Sequence, residues 1–535
     1  MSLVVVVADQ LHPAGLEGLR QANGFEVLSV VDHPDRLLTE VRQAHALLVR
    51  SATQVTEAVL GAAPHLRVVG RAGMGVDNID VDAATRRGIA VLNAPGANTI
   101  STAEHTMALL LAMVRHIAPA AASMATGGWD RARFGGTELR GKTLGLVGLG
   151  RIGAHVATIA RALGMQVAAY DPYLSDARAR DLQVELLPLD QLLRQADVVS
   201  LHAPLTERTH HLLDADRLAL MKPGALVVNA ARGDLIDTTA LIGAVESGHL
   251  GGAALDVYDE EPLAADSPLR STERILLTPH LAASTGEAQE RVSVEICAAV
   301  RRALECGDVG GAVNVPGVTN EQLGRARSVM DLSRRVGRMA GSLAPGPVSG
   351  VEVSFAGPED DLAKPVQLGA VEGVLQAMGV GPVSLVNVTV LAEERGIAVS
   401  RRVGRAPGGN VITVGVSVRS RDRSVGVRGL VTNGVESQGR IMEIDGYAVD
   451  IPADGAILIL RNRDVPGVIG RVGTALGAAG VNIAFYHQSR AANGRSLALA
   501  AIAVDHAPTA AVLESLEQLP DVIEVRLADV TDPPS

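Results

Sequence analysis

Aromatic residues are nearly missing from this chain. Phe, Tyr and Trp make up 2% of its 535 residues, so its cores must be built from Val, Leu, Ile and Ala. Cysteine is as scarce: only Cys297 and Cys306 occur, which excludes a disulfide framework and fits a reducing cytoplasm. Positive charge is in deficit. A net charge of −11 gives no general attraction for nucleic acid or anionic membrane, though local basic clusters can still bind small anions. No uncharged apolar run reaches the ~18 residues of a membrane span. The opening "MSLVVVVADQ" has no basic leader and its apolar run ends at Asp9, so it reads as a buried strand rather than a signal peptide. No fixed-period repeat or low-complexity segment is present, and no metal site is expected.

What is there is aliphatic and long. Hydrophobic residues are 47% of the chain, and single cores stop growing at roughly 250–300 residues, so several domains are expected. Up to about residue 310, apolar runs such as Val4–Val7, Ala46–Val49, Leu144–Val147, Val198–Leu201 and Leu226–Asn229 alternate with helical patterns. That alternation predicts α/β lobes with parallel sheets covered on both faces. A long helix is expected over Asn98–His116, capped by Ser101 or Thr102 with Glu104 in its first turn. It joins two lobes. The first, residues 1–97, resumes at 283–316 around an inserted lobe, 98–282. Residues 317–453 read as a mixed α+β domain, with strands expected at Val351–Phe355, Val383–Val390, Val411–Val418, Ser424–Gly429 and Arg440–Ile444. Residues 454–530 follow the order βαββαβ, a ferredoxin-like plait.

Between the strand "TLGLVG" and the helix "AHVATIARAL" stand Gly148, Gly150 and Gly153. They match the G-x-G-x-x-G dinucleotide fingerprint. The first glycine serves a tight turn, the second lets a pyrophosphate approach the backbone, and the third packs helix on strand. Free N–H groups at the helix N-terminus face the anion. Asp171 ends the next strand, twenty-three positions beyond Gly148. A carboxylate there holds a ribose 2′-hydroxyl and repels a 2′-phosphate, which selects NAD over NADP.

Polar residues gather where later strands end. Arg232 follows the strand ending at Asn229, Glu261 the one ending near Asp256, and His280 the one ending at Leu277. A parallel sheet brings such positions to one edge. An imidazole can take a hydroxyl proton, a carboxylate can orient the ring, and a guanidinium can grip a substrate carboxylate. The set suits oxidation of a 2-hydroxy acid.

The motifs "RAGMGVDNID", "GLGRIG", "HAPLTERTHHLL", "MKPGALVVNAARGDLID", "AALDVYDEEPL" and "TPHLAAST" resemble the D-isomer-specific 2-hydroxyacid dehydrogenases. The layout with two extra C-terminal domains resembles the long bacterial members. The resemblance implies two Rossmann-like lobes, an intervening domain and an ACT domain. It implies NAD-dependent oxidation of 3-phosphoglycerate, the first step of serine synthesis, in a cytoplasmic homotetramer. Arg232, Glu261 and His280 would form the catalytic set. Gly148, Gly150, Arg151, Ile152, Gly153, Asp171, His202, Ala203, Pro204, Thr209, Ala230, Asp256, His280 and Ala282 would meet the cofactor. Arg50, Ser51, Arg71, Gly73, Met74, Gly75 and Asn98 would meet the substrate, with Arg131 and Arg133 reaching a neighbouring subunit's phosphate pocket. Met74 departs from the family's usual threonine. An L-serine effector would sit at Asn462, Asp464 and Asn482, of which Asn462 departs from some serine-inhibited members. Arg401, Arg402, Arg405 and Arg440 form either an anion site or a solvated basic face. Three alternatives stay open: glyoxylate or hydroxypyruvate reduction, 2-oxoglutarate reduction, and a nucleotide-sensing corepressor.

Overall fold

The computed structural model describes residues 2–531 except 316, 406–407, 409–410, 422, 433–438 and 491–495. Five parallel strands, Leu3–Val7, Phe25–Ser29, Ala46–Val49, Val68–Arg71 and Ala90–Leu92, form the first sheet in the order 2-1-3-4-5. The Val-rich inner strands are buried on both faces, which is why they read as unbroken apolar runs. Phe25–Ser29 lies at the edge and is half exposed, so its mixed sequence "FEVLS" gives no such signal.

The helix Gly286–Cys306, capped by Thr285 and ended at Gly307 (φ +66°), packs back on this sheet. Two glycines admit it. A Cβ on Gly15 would fall 2.4 Å from the Ser293 carbonyl oxygen, and one on Gly70 would fall 2.7 Å from Val300. His12 N–H donates to Ser293 Oγ at 2.9 Å.

The second sheet has seven parallel strands: Thr143–Val147, Gln166–Tyr170, Glu185–Leu186, Val198–Leu201, Leu226–Asn229, Gly252–Leu255 and Ile275–Leu277. Numbered within the sheet, the order is 7-6-5-4-1-2-3. It reverses between Thr143–Val147 and Val198–Leu201, which opens a crevice beyond their C-terminal ends. The helix Thr99–Val114 borders this sheet. Its start corrects the expected cap. The helix begins after Asn98 with no side-chain cap, and Ser101 and Thr102 are buried in its first turn. Ser101 Oγ instead donates back to the Asn98 carbonyl at 3.0 Å, because packing draws both hydroxyls inward. Among the described residues no single helix is long and apolar enough to cross a membrane. Thr99–Val114 and Ile117–Ala125 pass that test only together, and they bend by 64°.

The third unit is a six-stranded mixed sheet covered by the helices Asn320–Leu343 and Ala363–Ala377. Small residues bring these helices close: a Cβ on Gly373 would fall 2.0 Å from the Arg334 carbonyl oxygen. The strand expected at Val383–Val390 is absent; Val388–Glu394 is helical. Ser384 N–H donates to Asn387 Oδ1 at 2.8 Å and Asn387 Nδ2 to the Pro382 carbonyl at 3.0 Å. These local bonds close a turn where a β-ladder would need free backbone. The strands Ala398–Val403 and Tyr447–Pro452 complete the sheet. Arg402 and Arg440 stand four strands apart, roughly 19 Å at strand spacing. They pair with Glu352 and Asp450 respectively, so the four arginines do not converge on one anion site.

The C-terminal plait has the strands Ala456–Arg463, Ile483–Arg490, Leu497–Val504 and Val522–Asp529 in the antiparallel order 2-3-1-4. Arg423 and Arg461 share the carboxylate of Asp445 and so join this unit to the mixed domain.

Candidate active site

Each glycine of the fingerprint meets a different demand. Gly148 has φ +96°, and a Cβ on it would fall 2.7 Å from the His202 carbonyl oxygen, at the point where the two central strands part. A Cβ on Gly153 would fall 2.3 Å from the Gly148 carbonyl oxygen, so this glycine lets the helix Arg151–Ala162 sit on the loop. Gly150 faces open space, with nothing within 4 Å of a Cβ, and it starts the helix without a side-chain cap. The helix's first N–H groups are therefore left for an anion. Asp171 accepts from Leu149 N–H at 2.9 Å and Tyr173 N–H at 3.0 Å, which fixes its carboxylate at the rim of the same loop. These residues fit a dinucleotide.

His202 lies half-buried below the loop, with Nε2 3.0 Å from Ser200 Oγ. Burial pulls its imidazole down to about 4. Thr209 Oγ1 donates to the Pro204 carbonyl at 2.7 Å and shapes the turn after Ala203. Ala230 and Ala282 are buried, and Arg151 is exposed beside Ile152 at the helix start.

Beyond the neighbouring strand ends, His280 Nδ1 lies 2.6 Å from Glu261 Oε2. Glu261 Oε1 accepts from Tyr258 N–H at 3.1 Å. His280 has φ +52°, a conformation that costs energy in a non-glycine residue. It is held there by its N–H, which donates to the carbonyls of Asp256 (2.9 Å) and Thr278 (3.0 Å). With Nδ1 engaged by a carboxylate, Nε2 is the nitrogen free for proton exchange.

Asp256 holds this segment from within. It is 0% exposed. Its carboxylate accepts from Thr278 Oγ1 (2.6 Å), Leu281 N–H (2.8 Å), Ala282 N–H (2.8 Å) and His105 Nε2 (3.1 Å). Burial alone would raise this carboxyl; the hydrogen bonds outweigh it and hold the group below the ordinary carboxylate range. Sequence reasoning missed His105, Tyr258 and Thr278. Their signals were a histidine just ahead of the apolar run of a helix and one of only five tyrosines, two residues past Asp256. The Tyr258 hydroxyl donates to the Thr278 carbonyl at 2.8 Å.

Arg232 follows the strand ending at Asn229, whose amide closes the turn by donating to the Arg232 carbonyl at 2.7 Å. Its guanidinium lies against Gly75 of the first lobe, where a Cβ would fall 1.9 Å from Nη2, and Nε donates to Asp77 at 3.0 Å. Arg71 sits beside it, folded against Gly73. Burial, then the nearby Arg232 and, more weakly, Arg50, push the Arg71 guanidinium down. Arg71 Nε and Asn98 Oδ1 are buried without hydrogen-bond partners. Asp9 accepts from Arg50 N–H at 2.6 Å and Thr53 Oγ1 at 2.6 Å, and Asn93 Nδ2 donates to the Met74 carbonyl at 2.6 Å; these bonds fix the loops that carry Arg50, Ser51 and Met74. Three guanidiniums and unspent polar atoms at one cleft suit an anion with more than one charged group.

Other expected site residues stand apart. Arg131 and Arg133 are exposed, and among the described residues neither has a carboxylate partner; Arg133 lies over the Phe134 ring at 5.6 Å. Asn462 is 0% exposed and donates to the Arg463 carbonyl. Asp464 pairs with Arg490 at 2.7 Å, and Asn482 donates to Asp505 at 2.8 Å; no hydrogen bond joins the three. A cavity of about 560 Å³ lined by Met113, Lys142, Asp197, Lys222 and Arg274 opens at the other edge of the second sheet, where its strands begin.

Comparison with known proteins agrees with this geometry. Residues 107–282 match the NAD binding domain of the D-isomer specific 2-hydroxyacid dehydrogenases, 325–445 the D-3-phosphoglycerate dehydrogenase intervening domain, and 456–521 the ACT domain. The D-3-phosphoglycerate dehydrogenase of Mycobacterium bovis is 43% identical over 99% of this chain and 98% of its own. That of Methanocaldococcus jannaschii is 38% identical over 98% and 99%. The chain belongs to the D-3-phosphoglycerate dehydrogenase family. Its two lobes also resemble a Staphylococcus aureus NAD-dependent formate dehydrogenase solved with NAD, at 29% identity and a TM-score of 0.51 over 56% of this chain and 95% of that one. As a D-3-phosphoglycerate dehydrogenase family member it is an NAD-dependent oxidoreductase, and the glycine loop described above lies inside the matched NAD-binding domain.

Proposed function

We propose that this chain oxidises 3-phosphoglycerate to 3-phosphohydroxypyruvate, the first step of serine synthesis. The observation that carries the reading is the His280–Glu261 pair at 2.6 Å, in the same lobe as Arg232, with Arg71 and Arg50 on the other lobe. NAD, when bound, supplies the acceptor for the C2 hydride. His280 Nε2 takes the hydroxyl proton as the carbonyl forms. Glu261 steadies the resulting imidazolium, and its own orientation is set by Tyr258 N–H. Arg232 grips the substrate carboxylate, while Arg71 and Arg50 favour its second anionic group. A positioned acid–base of this kind is worth roughly 10²–10⁴ in rate.

The test is turnover with NAD on 3-phosphoglycerate against unphosphorylated 2-hydroxy acids. A kcat/KM that ignores the phosphate would sink the reading. Reduction of 2-oxoglutarate is a second activity to assay, because the arginine set can meet a carboxylate where the phosphate would sit.

The same proposal includes a cytoplasmic homotetramer and an L-serine effector at the C-terminal plait. Both free cysteines suit a reducing compartment. Self-association is supported by the helix Ile117–Ala125, apolar yet without one buried residue, by Trp129 at 79% exposure, and by exposed Phe485 on an edge strand. A stable monomer in sedimentation, or serine that neither binds nor alters turnover, would remove these parts alone.

A further inference from the structure

We propose that His210, His211 and Asp234 form a binding site for one divalent transition-metal ion, with zinc the best match. The site lies outside the set assigned to hydride transfer. His210 and His211 stand on the turn after the strand Val198–Leu201, and Asp234 in the 3-10 turn Gly233–Leu235. One ligand atom from each lies within 4.8 Å of the other two. The two imidazoles stack with centroids 4.0 Å apart. Among the described residues, none of the three side chains makes a hydrogen bond or ion pair with any other group, so their donor atoms are unspent.

The backbone already holds the two segments together. His211 N–H donates to the Asp234 carbonyl at 2.7 Å, Leu213 N–H to the Leu235 carbonyl at 3.0 Å, and Asp237 N–H to the Leu213 carbonyl at 3.0 Å. A parallel bridge pairs Leu213 with Ile236. An ion would therefore order only side chains. At metal–nitrogen distances of about 2.0–2.1 Å, tetrahedral ligand atoms stand about 3.3 Å apart, so closure takes rotamer adjustment and no change of backbone.

The donor set selects the ion. Calcium and magnesium want oxygen ligands, and Cu(I) wants sulfur. Two imidazoles and one carboxylate suit zinc, with water in the fourth position. Binding takes neutral imidazoles as ligands. Asp234 is two residues past Arg232, so an occupied site would tie the turn after Leu201 to the segment that carries the arginine.

The experiment uses the full chain, freed of metal with EDTA, and titrates zinc chloride against a chromophoric chelator at pH 7.5. Wild type is expected to hold one zinc per chain. His211→Asn and Asp234→Asn should each weaken it at least about tenfold, while His280→Asn, which breaks the imidazole–carboxylate pair with Glu261, leaves it unchanged. Calorimetry without metal should give all three variants the wild-type Tm, which shows that they fold, and zinc should raise the Tm of wild type and of His280→Asn only. An apparent Kd above about 100 µM in wild type, undiminished zinc binding in His211→Asn and Asp234→Asn, or loss in His280→Asn instead would overturn the proposal. Because the readout is ion binding, its failure leaves the dehydrogenase reading untouched, and the reverse holds too.

Discussion

Replacing Asp256 by Asn changes little in shape and much in hydrogen bonding. Oδ1 meets three donors, from His105, Thr278 and Leu281, and Oδ2 meets the Ala282 N–H. An amide has one acceptor oxygen and one NH₂ group. Turned the better way, it still sets its NH₂ against Ala282 N–H, and the other three bonds lose their charge. A hydrogen bond to a charged group is worth about 1.5–3 kcal/mol, and a buried donor left unmade costs a similar amount. The expected loss is about 2–4 kcal/mol, and it falls on residues 278–282, which hold His280. We expect kcat to drop roughly 10–100-fold through misplacement of the imidazole, with a smaller change in KM for NAD. The assay pairs steady-state kinetics with calorimetry, because the single Trp, Trp129, is 79% exposed and reports poorly on this core. The pH dependence has a definite sign. The folded-state carboxyl of Asp256 lies below its ordinary value of 3.8, so its contribution is present above 3.8 and lost as pH falls through the folded value. The gap in stability between wild type and Asp256→Asn should therefore narrow in acid. Wild-type kcat and Tm in Asp256→Asn at pH 7–8 would refute the account of this carboxylate as the brace of the catalytic segment.

Two glycines separate fold from ligand. Gly150→Ala points a methyl into open space and should keep the Tm while weakening NAD at least about tenfold, read by fluorescence titration with NADH, because it crowds the backbone that a pyrophosphate must reach. Gly153→Ala meets the Gly148 carbonyl at 2.3 Å, a strain of roughly 1–3 kcal/mol, and should lower the Tm as well; equal behaviour of the two variants would contradict the assignment. Arg232→Lys should cost about 10²-fold in kcat/KM, since lysine lacks the forked grip. His202, pulled from 6.5 to about 4 by burial, stays neutral in the folded state while the unfolded chain takes up a proton. Its contribution is complete above pH 6.5 and declines toward pH 4, by at most on the order of 3 kcal/mol; His202→Asn should flatten that acid slope in calorimetry.

Much of this architecture could be read from the chain because its strands are short, aliphatic and doubly buried, and because glycine marks where backbones must approach. Reading failed where local preference lost to context. The β-branched stretch Val388–Val390 became the start of a helix once Ser384 and Asn387 closed a turn ahead of it. The edge strands Phe25–Ser29 and Ala398–Val403 escaped notice because the first is partly and the second wholly exposed, which removes the apolar run.

By itself the sequence determined the fingerprint, its acidic partner and the residue types set at successive strand ends, since each is a local demand of turn, helix start or proton chemistry. Only the tertiary structure decided that Gly75 of one lobe receives the Arg232 guanidinium of the other, that His105 reaches Asp256 across 151 positions, and that His210 and His211 stand beside Asp234. Those are contacts between segments remote in the chain. No periodicity records them, because they arise only when the sheets have assembled and helices and loops from distant segments meet at their edges.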